Sequence, residues 1–485
     1  MRRKKRLQTN DKHIKNLAAI VGEKEILFHK EDLTAYENDG FTIHSYLPKA
    51  VVFPKNTEET AEIVSYLSRN DLPFLARGAG TGLSGGAVPL NGEVIISLVK
   101  MKRLLNVDLK NRYAVVEPGY VNLTLTNSIS DKGYYYAPDP SSQYCCTIGG
   151  NVAENAGGAH CLKYGVTTNH ILGLEVVTPD GAIIEIGKNG IMDVPGYDLL
   201  GILTGSEGTL GIVTKITVRI LTHPEEKKTV LAYFDDVADG SQAVSDIVSE
   251  GIVPAALEMM DGTAIEAVES AAYPVGHPKD IDALLLIEVD GISAGIEEQI
   301  NKILDVCEKR NVRSVKVAED EQERARWWAN RKTGFGAMGA ISPDYLVQDG
   351  VIPRSTLPQV LGRIREISQE YGLRIANIFH AGDGNLHPLI LFDSRIPGET
   401  DKALEAGSAC LQACADVGGS ITGEHGVGIE KREEMRFVFS DKEIEAQTNI
   451  REVFNPYYLL NAGKLFPSPG RCGEVKKEEK AAASK

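Results

Sequence analysis

Residues 77–86 read RGAGTGLSGG, and this run limits the possible folds more tightly than any other part of the chain. Gly80 to Gly85 satisfies the G-x-G-x-x-G spacing and follows the apolar run PFLA, so a Rossmann dinucleotide site is the first reading to test. The continuation excludes it. A Rossmann loop opens a helix, whereas here Pro89, Asn91 and Gly92 lead into the β-branched run VIISL. No acidic residue ends that run to take a ribose hydroxyl. What remains is a loop whose successive unhindered N–H groups form a nest for a diphosphate without a helix dipole. On this loop alone, a flexible turn that binds nothing is the alternative.

Glycine supplies 48 of the 485 residues, above the roughly 7% of an average chain, and nearly all its conspicuous clusters fall before residue 220. The length suits about three domains, and 42% hydrophobic with 25% charged residues is the balance of a globular protein. A formal charge of -15 leaves no overall positive field for a polyanion, which argues against nucleic acid. Seven scattered cysteines without CxxC pairing point to a reducing compartment. The start MRRKKRLQTNDKHIKNL is basic but continues into polar residues, so no export signal is expected, and Arg2 to Arg6 reads as a solvated terminus. The densest apolar run, Ala283 to Val289, stops at Asp290, short of the ~18 residues of a membrane span. A cytoplasmic location is expected.

Four regions emerge. Residues 1–45 read as an N-terminal helical segment. In residues 46–224 a strand, helix and strand come first, with Asn56 and Glu59 at capping-box spacing and Ile63, Val64 and Leu67 as one apolar stripe. Short β-rich runs follow (EVIISL, YAVVEPG, ILGLEVVTPDG, LGIVTKITVRIL), separated by Gly, Pro and Asn. Residues 225–467, after the His223-Pro224 break, alternate amphipathic segments with strands such as ALLLIEVDG, an α+β pattern. Residues 468–485 are too polar to bury a core and are expected to be disordered.

Three further glycine-rich elements follow the first loop: Pro138-Asp139-Pro140, TIGGNVAENAGGAHCLKYG and GSEGTLGIV. This ordered set resembles the FAD-binding domain of the vanillyl-alcohol oxidase and p-cresol methylhydroxylase family. The resemblance implies a PCMH-type FAD-binding domain over 46–224, with Arg77, Gly78, Ala79, Gly80, Thr81, Gly82 and Leu83 around the diphosphate. It places Pro138, Asp139, Thr147, Gly149, Gly150, Asn155, Gly157, Gly208, Gly211 and Ile212 along the rest of the cofactor. Some relatives tether the flavin through a His in the first loop; Arg77 to Gly86 contains none, so a non-covalent FAD is expected. Cys145 and Cys146 are expected to be small buried hydrophobes and not a flavin link.

In RIANIFHAGDGNLHPLILF, two apolar β-like runs flank a turn, so His380 and His387 should face one another across the mouth of a hairpin. Two imidazoles there could meet one metal. Later, GGSITGEHGVG presents Glu424 and His425 between glycines, where the backbone packs closely. Two His and one carboxylate suit a divalent ion such as Zn, Mn or Fe with open positions. The competing reading makes each a hydrogen-bonded core residue.

IFHAGDGNLHPLILF, SITGEHGVG, ISPDYLVQDGVIPR and NAGKLF resemble the FAD-linked oxidase C-terminal domain of D-2-hydroxyacid dehydrogenases. That resemblance implies a two-domain α+β protein whose second, substrate-binding cap domain is built on an antiparallel sheet. It implies His380, His387 and Glu424 as metal ligands, His425 as general base and Arg331 as carboxylate clamp, with Asn385 and Lys464 in the pocket. An exposed helix arginine after Trp327-Trp328 is the other reading of Arg331. The chemistry is coherent: a 2-hydroxyacid chelates a divalent ion, which lowers its hydroxyl pKa, and a His of reference pKa about 6.5 accepts the proton.

Relatives acting on D-2-hydroxyglutarate carry a Thr and a Lys where an ungapped reading here gives Phe335 and Val347, and a polar residue where this chain has Leu389. An apolar lining leaves a second carboxylate unpaired, so the expected substrate is a small monocarboxylate, glycolate or D-lactate. A D-2-hydroxyglutarate-type dehydrogenase and, in another class, a metal-dependent hydrolase using the His/His/Glu set are the alternatives. With no cluster or haem motif here, electrons must leave to another protein or a quinone. The resemblance implies an iron–sulfur subunit and a second flavin-domain subunit, or an electron-transferring flavoprotein, with any membrane association made through such partners.

Overall fold

The computed structural model describes residues 9–187 and 195–467. The Arg2 to Arg6 cluster, the tail 468–485 and Cys472 lie outside the described residues. Two compact units form, each from separated stretches of chain: 9–157, 166–187, 195–222 and 424–467 make the first, and 158–165 with 223–423 make the second.

The first unit holds a small mostly parallel sheet. Val94–Ser97 lies between Ala50–Val52 and Phe74–Arg77, parallel to both, and Ile26–Leu27 closes one edge antiparallel. Parallel strands need a crossover. The helix Thr57–Arg69 makes the first one: Asn56 Oδ1 accepts from Glu59 N at 2.8 Å, and Ile63, Val64 and Leu67 are wholly buried under it. Each such side chain contributes roughly 1.5–3 kcal/mol through burial. The second crossover, Arg77 to Val94, contains no helix; it is the glycine loop itself. A five-stranded antiparallel sheet follows in the order Leu104–Asp108, Tyr113–Val116, Ile212–Arg219, Ile171–Val177, Ile183–Ile186. The chain end returns to the parallel sheet, where Leu460 bridges Phe74 and is fully buried.

The second unit is a seven-stranded sheet, antiparallel at each pairing, in the order Ser314–Val317, Glu226–Phe234, Ala283–Gly291, Ala256–Asp261, Ile375–Phe379, Pro388–Phe392, Asp344–Val347. Ala283–Gly291 is buried along eight of its nine residues, which is why its first five read as a continuous apolar run and not as an alternation, and the burial extends to Glu288 and Asp290. One face carries a core of Leu231, Met260, Leu284, Trp327, Trp328 and Met338 that continues to Ile378 and Leu389. Among the described residues no helix is long and apolar enough to cross a membrane.

Candidate active site

The glycine loop leaves the carboxyl end of a parallel strand, where open α/β sheets bind ligands. Among the described residues, the backbone N–H groups of Gly78, Ala79, Gly80, Thr81, Gly82 and Leu83 donate to no protein acceptor. Six consecutive donors therefore face away from the protein's own carbonyls, as a diphosphate requires. Gly78 passes so close to Thr147 that a β-carbon would stand 2.4 Å from its Oγ1, and Gly80 has φ +72. At Gly82 nothing lies nearer than 4.0 Å to an added β-carbon. This cradle fits FAD.

Arg77 braces the loop from within. Its Nη1 donates to Asn38 O at 2.7 Å and Ala87 O at 3.3 Å, and its guanidinium lies over the Tyr36 ring. Gly149 fits because a β-carbon would stand 2.5 Å from Pro118, and Gly211 because one would stand 2.6 Å from Val176. Asn155 adopts φ +53 and its Oδ1 accepts from Thr168 N at 2.8 Å, shaping the exit of the helix Ile148–Glu154. Pro138, Thr147 and Gly157 are buried, Asp139 and Gly150 partly so, Gly208 has φ +65, and Ile212 packs in the core. Cys146 is buried but Cys145, at the end of a turn, is exposed. The expectation of two buried thiols is corrected there.

Close to the loop lie two carboxyls that motif reading misses, Glu154 and Glu207, together with Lys464, which the resemblance does place in the pocket. Glu207 accepts from Val427 N and Gly428 N, both at 2.7 Å, and so holds the turn that follows His425. Gly426, at φ +82, leaves room for two carboxyls: a β-carbon there would stand 2.3 Å from Glu154 Oε2 and 2.9 Å from Glu207 Oε1. Burial first, then the charges of Glu207 and Asp39, push the Glu154 carboxyl well above its ordinary range. Burial also raises Glu207 against its two N–H bonds. Lys464 is pushed down to about 8 by burial. Its Nζ donates to Val88 O at 2.7 Å, Asn461 Oδ1 at 2.9 Å and Gly86 O at 3.4 Å, so it ties the chain end to the glycine loop. His425 O accepts from Ser84 Oγ at 3.0 Å, and His425 Nε2 stands 3.6 Å from Glu424 Oε1.

In the second unit the strands Ile375–Phe379 and Pro388–Phe392 are antiparallel partners, and His380 and Asn385 exchange backbone hydrogen bonds of 3.1 and 3.2 Å across the connection. The His380 and His387 rings meet edge-on with centroids 5.2 Å apart. His380 Nδ1 bonds Glu258 Oε1 at 2.8 Å and Oε2 at 3.0 Å. Arg331 is only 5% exposed, which removes the surface reading; its Nη2 pairs with Glu258, and its Nε makes no hydrogen bond among the described residues. His387 Nε2 lies 3.4 Å from Asp349 Oδ1, and Phe335 stands edge-on to its ring at 5.6 Å. Asn385 Nδ2 donates to Asp349 Oδ1 at 2.8 Å, while Thr422 Oγ1 and Gly423 N donate to Oδ2 at 2.5 and 3.0 Å. Val347 and Leu389 are direct cross-strand partners, both buried in the apolar core. The second unit thus gathers His380, His387, Arg331 and Asn385, while Glu424, His425 and Lys464 belong to the first.

Residues 48–187 match the family model for an FAD binding domain, and residues 223–465 match that for the C-terminal domain of FAD linked oxidases. The chain belongs to the FAD-linked oxidases and is a flavoprotein oxidoreductase. It is 47% identical over 450 residues to the glycolate oxidase subunit GlcD of Escherichia coli (strain K12), covering 93% of this chain and 90% of that one. The Bacillus subtilis (strain 168) glycolate oxidase subunit GlcD is 37% identical over 436 residues, covering 90% and 93%. A D-lactate dehydrogenase of Anaerostipes hadrus is 31% identical over 456 residues, covering 92% and 95%. Among solved structures, p-cresol methylhydroxylase superposes with TM-score 0.78 at 18% identity, over 94% of this chain and 96% of that one. The 4-ethylphenol oxidase of Gulosibacter chungangensis gives 0.77 at 18%, over 95% and 98%. The fold is the α+β, two-domain PCMH type.

Proposed function

We propose that this chain is a dehydrogenase subunit that oxidises a small (R)-2-hydroxy monocarboxylate, glycolate or D-lactate, to the 2-oxoacid. The observation that carries the reading is the convergence of two imidazoles and a buried arginine, His380, His387 and Arg331, in a chain whose other unit presents an FAD cradle. Bound FAD supplies the hydride acceptor, and a divalent ion (Zn, Mn or Fe) held by His380, His387 and Glu424 supplies the charge that lowers the hydroxyl pKa. Arg331 binds the substrate carboxylate through its guanidinium, whose Nε makes no hydrogen bond among the described residues. His425 accepts the hydroxyl proton as general base. Phe335 stands edge-on to His387, and Phe335, Val347 and Leu389 are apolar side chains that offer a second carboxylate no partner, at a cost of several kcal/mol if it is buried. A glycolate oxidase subunit among the relatives supports a multi-subunit enzyme, in which an iron–sulfur subunit and a second flavin-domain subunit, or an electron-transferring flavoprotein, take the electrons.

Anaerobic flavin bleaching tests the reading. Glycolate or D-lactate should reduce the bound flavin, L-lactate and D-2-hydroxyglutarate should do so far more slowly, and His425→Ala should abolish reduction with FAD retained. Near wild-type reduction by that variant removes His425 as base, and fast reduction by D-2-hydroxyglutarate overturns the monocarboxylate assignment.

A further inference from the structure

We infer that Glu258 is a positioning residue of this site: it fixes His380 in the form that carries its proton on Nδ1 and presents its Nε2 lone pair to a divalent cation, while it anchors Arg331. The inference rests on the function proposed above and names a residue that no sequence motif in the chain points to.

Glu258 sits in the strand Ala256–Asp261, between Ala283–Gly291 and Ile375–Phe379, with Leu257, Met259 and Met260 buried around it. Its exposure is 0%. A carboxylate in the middle of an apolar strand costs several kcal/mol in desolvation, and even a well-paired one is often matched in stability by a hydrophobic residue. Stability alone gives no reason for it. Its partners do. His380 Nδ1 lies 2.8 and 3.0 Å from its two oxygens, and Arg331 forms an ion pair with Oε2. Arg331 of the helix Glu321–Lys332 and His380, the residue that follows the strand Ile375–Phe379, thereby meet at one carboxyl within a single unit.

The chemistry then follows from donor and acceptor counts. With Arg331 as counter-ion the carboxylate offers only acceptors, so the His380 nitrogen facing it is the one that carries hydrogen. A neutral imidazole protonated on Nδ1 has its lone pair on Nε2, the far side of the ring from Glu258. Carboxylate behind histidine is the arrangement that orients a metal-bound ring and raises its basicity, and removing such a partner costs about 10–100-fold in metal affinity or activity. The same carboxylate anchors the Arg331 guanidinium through Nη2, so one buried group sets the orientation of both binding elements.

The test uses FAD-loaded protein stripped of metal, titrated with Zn²⁺ against a competing chelator. Glu258→Gln should weaken Zn²⁺ binding about 10–100-fold, with the flavin spectrum and FAD content unchanged. In a His380→Ala background the same substitution should add less than about twofold, because Glu258 acts through that ring. Wild-type Zn²⁺ affinity in Glu258→Gln, or equal losses in both backgrounds, overturns the inference and leaves the proposed function standing. A wild-type protein that binds no divalent metal overturns the metal part of that function and the inference with it. Should Glu258→Gln fail to fold, ¹⁵N-histidine spectra of the wild type decide, with His380 assigned by His380→Gln. A proton on Nδ1 supports the inference, and a proton on Nε2 or on both nitrogens overturns it.

Discussion

Leu162 packs directly onto Gly382: a β-carbon built on Gly382 would stand 2.5 Å from Leu162 Cδ2 and 3.1 Å from Leu257 Cβ. Gly382 lies in the connection between His380 and His387, and Leu162 belongs to the short helix Cys161–Tyr164. That helix is held by Lys163 and Tyr164 on Asp290, at 2.5 and 2.7 Å, and by His160 on Glu288 at 3.3 Å. Gly382→Ala should therefore cost about 1–3 kcal/mol through overpacking and slow flavin reduction, and Leu162→Ala in the same protein should restore most of both. Denaturant midpoints and anaerobic reduction rates of the two single variants and the double variant measure this. Additive losses in the double variant contradict it.

A second expectation concerns pH. Burial and Glu207 raise the folded-state value of Glu154. Its contribution to stability is then complete below the unfolded value of about 4.3 and is lost as pH rises through the raised folded value. Glu154→Gln keeps the shape and removes that dependence, so the variant should gain on the wild type at about pH 9 and not at about pH 5. Lys464, lowered to about 8, works in the opposite sense, losing stability as pH falls, but it is common to both proteins. Urea midpoints at the two pH values are the measurement; an equal difference at both would show that Glu154 titrates as an ordinary carboxyl.

The parts of this site that are legible in the sequence are those where a residue's chemistry conflicts with its immediate neighbours. The loop RGAGTGLSGG declares itself because Pro89, Asn91 and Gly92 forbid the helix a Rossmann loop would open, and the crossover there indeed has none. His380 and His387 stand out for their glycine-bracketed turn between apolar runs. Glu258 and Asp349 are harder to see. Glu258 occurs once in ALEMMD, where a strand with one wet face would look the same, and its partners are 73 and 122 positions away. Asp349 precedes Gly350 and so reads as a turn residue, though it is wholly buried. The return of residues 424–467 to the first unit is made by scattered ties, a backbone bridge from Leu460 to Phe74 and the bonds of Glu207 to Val427 and Gly428 among them, and such ties across more than two hundred residues leave no periodic trace.

Asp349 gives a third expectation. It accepts from Asn385 Nδ2, Thr422 Oγ1 and Gly423 N with no exposure to solvent. Asn at this position turns an NH₂ group toward one set of these donors, and each buried donor left unmatched costs about 1–3 kcal/mol. Asp349→Asn should lower the denaturant midpoint by that amount while the purified protein still carries FAD, since the glycine cradle belongs to the first unit. A midpoint equal to wild type would mean that these three donors find other acceptors.

The glycine loop allows a sharper contrast between two neighbouring positions. At Gly78 an added β-carbon collides with Thr147 Oγ1 at 2.4 Å, so Gly78→Ala strains the protein whether or not a cofactor is present. At Gly82 nothing approaches within less than 4.0 Å, and Gly82→Ala should leave apoprotein stability within about 0.5 kcal/mol of wild type. If the unengaged N–H groups of this loop approach a diphosphate, the new methyl group interferes only with the ligand. FAD affinity, read by flavin fluorescence on dilution, should then fall at least about tenfold, equivalent to about 1.4 kcal/mol. The two variants separate a loop that is glycine-rich because the protein crowds it from one that is glycine-rich because its ligand does. Unchanged FAD affinity in Gly82→Ala would remove that residue from the cradle.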